Sequence, residues 1–170
     1  MYKYQTYFEK LTTLCPPSNY VAQIFKMKRL SGVKIHKLDF LPIKQGDLLY
    51  HEGPLLSVFK DAFSDNFYFY KWSDCDDKAH RWLVFKVSIE SLKSFFDKQI
   101  SLKHLILEQP FSYFLDLNNS LDPINIVIVS SPNIPKSYLP EEDSYYEIND
   151  FESYGLVLHQ KIKSLTLQIA

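Results

Sequence analysis

The chain has 170 residues, of which 46% are hydrophobic, 16% are aromatic and only four are glycine. This length suits one domain with a sizeable core, and the aromatic-rich composition excludes an intrinsically disordered chain. The formal net charge is −1, so the chain as a whole has no field that favours nucleic acid or a membrane surface.

The first elements along the chain give mixed signals. In residues 4–14 the apolar side chains stand at helical spacing and two prolines end the pattern, so residues 1–20 are expected to form a short helix or an arm. Residues 20–30 fit a helix or a strand equally well. After a Ser-Gly turn, the alternation in VKIHKLDFL predicts a strand with one solvated face.

Residues 50–87 contain three short apolar-aromatic runs joined by polar connections. The runs LLSVFKDA, FYFYKW and RWLVFKV predict three strands of an antiparallel meander. The apolar run RWLVF is typical of a central strand that is covered on both faces. The connection SDCDDKAHR is interpreted as the polar tip of a hairpin, with an ion or polar-ligand site as the alternative. Arg81 is expected opposite one of its carboxylates, in an exposed pair.

Two helices and further strands are predicted after the meander. Ser88 and Ser101 are expected to cap helices, and Leu92, Phe95 and Phe96 share one face of the first. FSYFLDL and INIVIVS predict two strands, residues 131–153 an acidic aromatic loop, and the alternation in 154–170 one or two terminal strands. Together these elements predict a single α+β domain over residues 1–170, mainly an antiparallel sheet with two or more short helices.

An enzyme would need carboxylates and an imidazole gathered into one cleft. The residues of that kind near the hairpin and the turn before Pro54 are Glu52, Asp74, Asp76 and His80. No CxxC, HxH or calcium-loop pattern accompanies them, so neither a metal nor a cofactor is predicted. No nucleophile signature is present either. A hydrolase or nuclease is therefore the alternative, and a non-catalytic protein is the first expectation.

Residues 137–153 hold six Asp/Glu and no Lys or Arg, together with several large apolar side chains. The segment either packs as an ordered loop over its own sheet or docks on a protein partner, because interfaces favour aromatic residues. A homo-oligomer is a second form of the docking hypothesis. The residues proposed for partner contact are Tyr138, Glu141, Glu142, Asp143, Tyr145, Tyr146 and Phe151.

The amino-terminal part is basic, since residues 1–50 hold eight Lys/Arg and three Asp/Glu. Either the two ends of the chain neutralise each other in the fold, or the basic stretch forms a binding face. Basic residues mixed with aromatic ones can bind nucleic acid, although no RRM or KH motif is present. The residues of this alternative are Lys26, Lys28, Arg29, Lys34 and Lys37.

Four stretches carry a resemblance to a known group: EGPLLSVF, FYFYKWSDCDD, RWLVFKVSIESLKSFFDKQISLKHLI and IPKSYLPEEDSYY. Over roughly residues 50–146 the chain resembles a group of small bacterial proteins of unknown function. The resemblance implies a compact α+β domain in a cytosolic accessory, defence or toxin–antitoxin-type context, and it implies no catalytic residue.

The location expected from the sequence is cytoplasmic. The start MYKYQTYFEK has no apolar core of a signal peptide, and no run of about 18 apolar residues predicts a membrane span. The two cysteines form no CxxC pair and are expected to be free thiols. The function predicted overall is a non-catalytic protein-interaction module.

Overall fold

A computed structural model describes residues 27–169, with side chains up to residue 165. Its centre is one antiparallel sheet of seven strands in the order β1-β7-β6-β5-β4-β3-β2. Strands β2 to β7 form a meander, and β1 pairs with β7 at the far edge. The predicted α+β domain built mainly on an antiparallel sheet is confirmed. The strands are β1 Val33–Ile35, β2 Pro42–Tyr50, β3 Pro54–Asp61, β4 Phe67–Cys75, β5 Ala79–Val87, β6 Phe111–Asn118 and β7 Pro123–Ser130.

The three strands predicted in residues 50–87 are β3, β4 and β5. Strand β5 occupies the middle of the sheet, and all of its residues except Lys86 are buried. The central position predicted from RWLVF is therefore confirmed. The polar hairpin is confirmed as well, with a turn of only three residues, because Cys75 and Ala79 already belong to the strands.

Three helices accompany the sheet in the described part of the chain: α1 Ile89–Phe96, α2 Leu102–Leu107 and α3 Ser153–Ile169. The predicted caps are present. The amide of Ser91 donates to Ser88 Oγ at 3.0 Å, and the amide of His104 donates to Ser101 Oγ at 3.2 Å. Each cap satisfies a backbone donor that the first helical turn leaves without an internal partner.

The prediction of terminal strands in residues 154–170 is wrong, because α3 occupies this segment. Tyr154, Leu158 and Ile162 stand four residues apart and form its inward face, with Leu158 4% and Ile162 2% exposed. The helix lies against β2, a strand that the sequence did not predict. The contact is close, since a Cβ on Gly46 would come within 2.3 Å of Tyr154 Cγ.

Both faces of the sheet carry buried apolar clusters. The cluster on the helix side contains Phe69, Phe85 and Phe114 from the strands and Phe95 from α1. The cluster on the opposite face is built on Tyr70, Trp82 and Leu115. The loop after β1 folds over this second face, where Phe40 stacks on Tyr68 with ring centroids 3.7 Å apart.

Two predictions concern residues that the structure does not describe: the helix or arm at residues 1–20, and the helix or strand over most of segment 20–30. The strand predicted from VKIHKLDFL is shorter than expected, because β1 ends at Ile35.

Among the described helices, none combines the length and the apolar character needed to cross a membrane.

Candidate functional site

Four polar side chains form a row across four adjacent strands, at the end of the sheet that carries the β4–β5 turn. The strand register pairs Asp74 with Arg81, Arg81 with Asp116, and Asp116 with Asn125. Cross-strand partners share one face of a sheet, and this face is the helix side, because Leu83 follows Arg81 by two residues and belongs to that cluster. The row places three charged groups beside an apolar core.

Arg81 and Asp116 form the centre of this polar row. Arg81 Nε lies 2.7 Å from Asp116 Oδ1, and Nη2 lies 2.8 Å from Oδ2. Asn125 Nδ2 adds a third bond to Asp116 at 3.1 Å. Arg81 is 5% and Asp116 4% exposed. Burial by itself would lower the pKa of the Arg81 guanidinium. The hydrogen bonds to Asp116 and Tyr138 have the larger combined effect, so the pKa is raised. Such a bidentate arginine–carboxylate pair is stronger than one with a single hydrogen bond.

Tyr138 joins Arg81 to Asp74. Its hydroxyl accepts a bond from Arg81 Nη1 at 3.0 Å and donates to Asp74 Oδ2 at 2.8 Å. Its ring packs against Phe114. Burial and the bond to Asp74 raise the pKa of the Tyr138 hydroxyl, so it stays protonated and can donate to the carboxylate.

The same guanidinium also binds the chain before β1, because Arg81 Nη1 donates to the backbone oxygen of Lys28. The expectation of an exposed Arg81 pair is therefore corrected. The register does place Arg81 opposite Asp74, but its direct ion-pair partner is Asp116 and both groups are buried.

The structure does not bring the candidate catalytic residues into one cleft. Asp74 lies on the helix side, whereas His80 neighbours Arg81 in β5 and points to the opposite face. Asp76 closes the hairpin turn, where its Oδ1 accepts the amides of Lys78 and Ala79 at 2.8 and 2.9 Å. Glu52 occupies the β2–β3 turn with a φ of 54°. The carboxylates of Asp74 and Asp76 are therefore engaged in local structure, by the Tyr138 hydroxyl and by the turn amides respectively.

The environment of His80 differs from that of the carboxylates. Burial lowers the pKa of the imidazole, and the nearby Asp76 carboxylate partly opposes this effect.

Within residues 27–169, no group of three or more His, Cys, Asp and Glu side chains could hold a metal ion.

The acidic segment, residues 137–153, packs over its own domain. Tyr138 and Phe151 are 3% and 6% exposed and belong to the helix-side core, so the hypothesis that they contact a partner is corrected. Tyr146 is partly buried against the same core. Removing the apolar surface of these three rings from water stabilises the fold, which favours their packing in the core over their exposure at an interface.

The remainder of the acidic segment is held by polar contacts. Ser144 accepts the first amides of α2, from Leu102 at 2.9 Å to its backbone oxygen and from Lys103 at 3.1 Å to its Oγ. Lys103 also pairs with Glu142, and Lys98 pairs with Glu147. Within the described residues, two carboxylates of the acidic segment are thus paired with lysines of the helical region.

Part of the acidic segment stays exposed. Tyr145 is 48% and Ile148 39% exposed. The acidic residues with exposed side chains are Glu141, Glu142, Asp143, Glu147, Asp150 and Glu152. Of the residues proposed for partner contact, the structure therefore leaves Tyr145 and the carboxylates at 141–143 accessible.

The described residues of the basic stretch do not all line one surface. Lys26 lies outside the described residues, and the side chains of Lys28, Arg29, Lys34 and Lys37 are exposed. Three of them line one cavity of about 410 Å³, together with Arg81 and Asn125. Lys37 lines a different cavity, which is built on Leu115 and Leu117 of the opposite sheet face.

Sequence reasoning missed the polar row, because its members are far apart in the chain and meet only through the strand register. The one available signal was the charge of Arg81 and Asp116 inside otherwise apolar strand patterns. An ionised side chain in such a strand needs a buried partner.

The chain matches no family model, no curated protein and no solved structure. The resemblance to a group of small bacterial proteins stays a prediction.

Proposed function

We propose that this protein is a non-catalytic protein-interaction module that binds a basic protein partner through the exposed part of its acidic segment, residues 141–150. The observation that carries the proposal is the fixed presentation of Tyr145 and Ile148 among carboxylates by a segment whose own ends are buried. A cytoplasmic accessory role in a bacterial defence or toxin–antitoxin-type system belongs to the same proposal and is supported by the sequence resemblance alone.

Contacts on both sides hold the proposed binding segment. Tyr138 lies before it in the core, and Phe151 lies after it. Within it, Ser144 binds the start of α2, and a capping box links Glu147 and Asp150 across a 3₁₀ turn. A segment that is already ordered loses less conformational entropy when it binds, which favours affinity.

The chemistry of the exposed part indicates a basic partner. Among the described residues, the lysines pair with Glu142 and Glu147 alone in this segment. The side chains of Glu142 and Glu147 are 86% and 67% exposed, so these pairs are weak and a partner can replace them. The remaining carboxylates would accelerate the approach of a positively charged surface. Tyr145 and Ile148 supply the apolar contact area that such an interface needs at its centre.

The test is co-purification from an extract of the cells that produce the protein. The variant Tyr145→Ala/Ile148→Ala/Glu141→Gln changes exposed side chains only, so its unfolding curve should match that of the wild type. Phe63→Ala is the matched control, because Phe63 is an exposed aromatic residue, 84% exposed, in the β3–β4 turn. Tyr146 and Phe151 are left unchanged, since their removal would damage the core.

We expect a stoichiometric basic protein with the wild type and with Phe63→Ala, and its loss with the triple variant. If that partner binds all three proteins equally, the acidic segment is not the binding surface. If sedimentation shows that the wild type self-associates and the triple variant does not, the partner is a second copy of this chain and the proposal of a basic protein is overturned.

A further inference from the structure

We propose that the cavity between residues 27–34 and the helix-side face of β7 binds a small molecule through a phosphate group. None of residues 141–150 lines this cavity, and the proposal does not depend on the proposed function. It concerns a ligand of opposite charge.

The walls of the cavity are cationic. Lys28 and Arg29 come from the segment before β1, and Lys34 comes from β1 itself. Lys34 pairs with Val127 in the strand register, so its side chain stands on the helix side, the same face as Asn125. Within residues 27–169, none of the three cations forms an ion pair. Three positive charges that have no ion-pair partner among the described residues therefore line one concave site, and they come from two elements.

Two members of the polar row, Arg81 and Asn125, line the cavity. Arg81 lines the cavity, but Asp116 already neutralises its charge. Its bond to the Lys28 backbone oxygen instead fixes the segment that carries Lys28 and Arg29. Arg81 is thus a positioning residue, and the ligand contacts fall to the three exposed cations and to the half-buried Asn125 amide.

Size and charge select the ligand class. A volume of about 410 Å³ is large enough to hold a small molecule, since small-molecule pockets measure roughly 300–1,000 Å³. A phosphate monoester carries about −1.5 to −2 charges at pH 7 and three acceptor oxygens, which matches several cationic donors better than one carboxylate does. The shared chemistry is therefore a phosphate-type dianion.

The test is a titration of the full chain with inorganic phosphate at constant ionic strength and pH, followed by amide NMR shifts. We expect saturable shifts at residues 28–34 and at the Asn125 side-chain amide. Arg29→Gln/Lys34→Gln should raise the dissociation constant by about tenfold or more, since it removes two charge-assisted contacts. Lys37→Gln is the matched control, because it removes a neighbouring exposed lysine that lines another cavity, and it should leave the constant within about twofold.

Three results would overturn the proposal. The first is the absence of saturable shifts with phosphate. The second is equal weakening by Lys37→Gln, which would indicate attraction by overall charge. The third is tighter binding of acetate or of a single-stranded oligonucleotide than of phosphate, which would assign the cavity to a carboxylate or to nucleic acid. Unchanged amide spectra outside the cavity establish that the variants are folded.

Discussion

Arg81 is the residue on which the polar row depends, since it compensates Asp116 directly and reaches Asp74 through the Tyr138 hydroxyl. Arg81→Met would leave the Asp116 carboxylate buried without a cation. Removing one partner of a buried pair typically costs about 3–5 kcal/mol, so we expect a loss of that order in the free energy of unfolding. Urea denaturation followed by circular dichroism measures it.

A second variant distinguishes two causes of the lost stability, the uncompensated Asp116 carboxylate and the loss of packing around Arg81. Arg81→Met/Asp116→Leu removes both ions, and it should recover a large part of the stability that the single variant loses. If the double variant is as unstable as Arg81→Met, then the burial of an uncompensated carboxylate is not the cause.

His80 gives a pH dependence with a defined sign. Burial lowers its pKa in the folded chain below the ordinary value of 6.5. Below pH 6.5 the unfolded chain therefore binds a proton that the folded chain does not, and the free energy of unfolding falls as the pH drops. The fall continues until the pH passes the folded pKa.

Urea midpoints at pH 7.5 and 5.5 measure this effect. We expect a smaller decrease for His80→Gln than for the wild type, whereas His104→Gln, which changes an exposed histidine in α2, should keep the wild-type decrease. An unchanged decrease in His80→Gln would assign the acid sensitivity to other groups.

At the scale of elements, the packing of α3 on β2 depends on the absence of a side chain at Gly46. A Cβ there would lie 2.3 Å from Tyr154 Cγ and 2.8 Å from Tyr154 Cβ, which cannot move without the helix. Gly46→Ala is therefore expected to destabilise the fold by about 1–3 kcal/mol, the usual cost of overpacking. Hydrogen exchange in α3 should accelerate more than exchange in β5.

The cause is checked by making room for the new methyl group. Tyr154→Ala alone should destabilise by loss of packing, and adding Gly46→Ala to it should cause little further loss. If Gly46→Ala is equally harmful in both backgrounds, the clash with Tyr154 is not the reason.

The elements that sequence reasoning predicted are those with local signals. Ser88 and Ser101 cap their helices from inside the same turn, and β5 is a continuous apolar run. Helix α3 was mistaken for strands because Leu165, Leu167 and Ile169 alternate, although the residues that pack are Leu158 and Ile162, four apart. Strand β2 was missed because Gly46 and the register shifts beside it interrupt the strand pattern.

The candidate sites were less predictable than the elements. Whether a ring such as Tyr145 or Phe151 faces the core or solvent depends on how the acidic segment lies on α1 and α2, and this contact is not local in the chain. The same holds for Asp74 and His80, which are close in sequence but lie on opposite faces because each strand alternates its side chains.

At the scale of the whole molecule, the described acidic and basic side chains form two different surface clusters. The carboxylates of the acidic segment lie by α1 and α2, where Lys98 and Lys103 offset only part of their charge. Lys28, Arg29 and Lys34, which form no ion pair within residues 27–169, lie at the edge that β1 adds to the sheet. The net charge of −1 conceals this separation, and each surface favours a ligand of opposite sign.

The most direct test of the central claim is hydrogen–deuterium exchange of the full chain, alone and in complex with the basic protein that co-purifies with it. We expect slower exchange in residues 141–150 and in the adjoining connection between α1 and α2, with unchanged exchange in residues 27–37. Protection confined to residues 27–37 or to the β2 edge, with none in residues 141–150, would contradict the claim that the acidic segment is the binding surface.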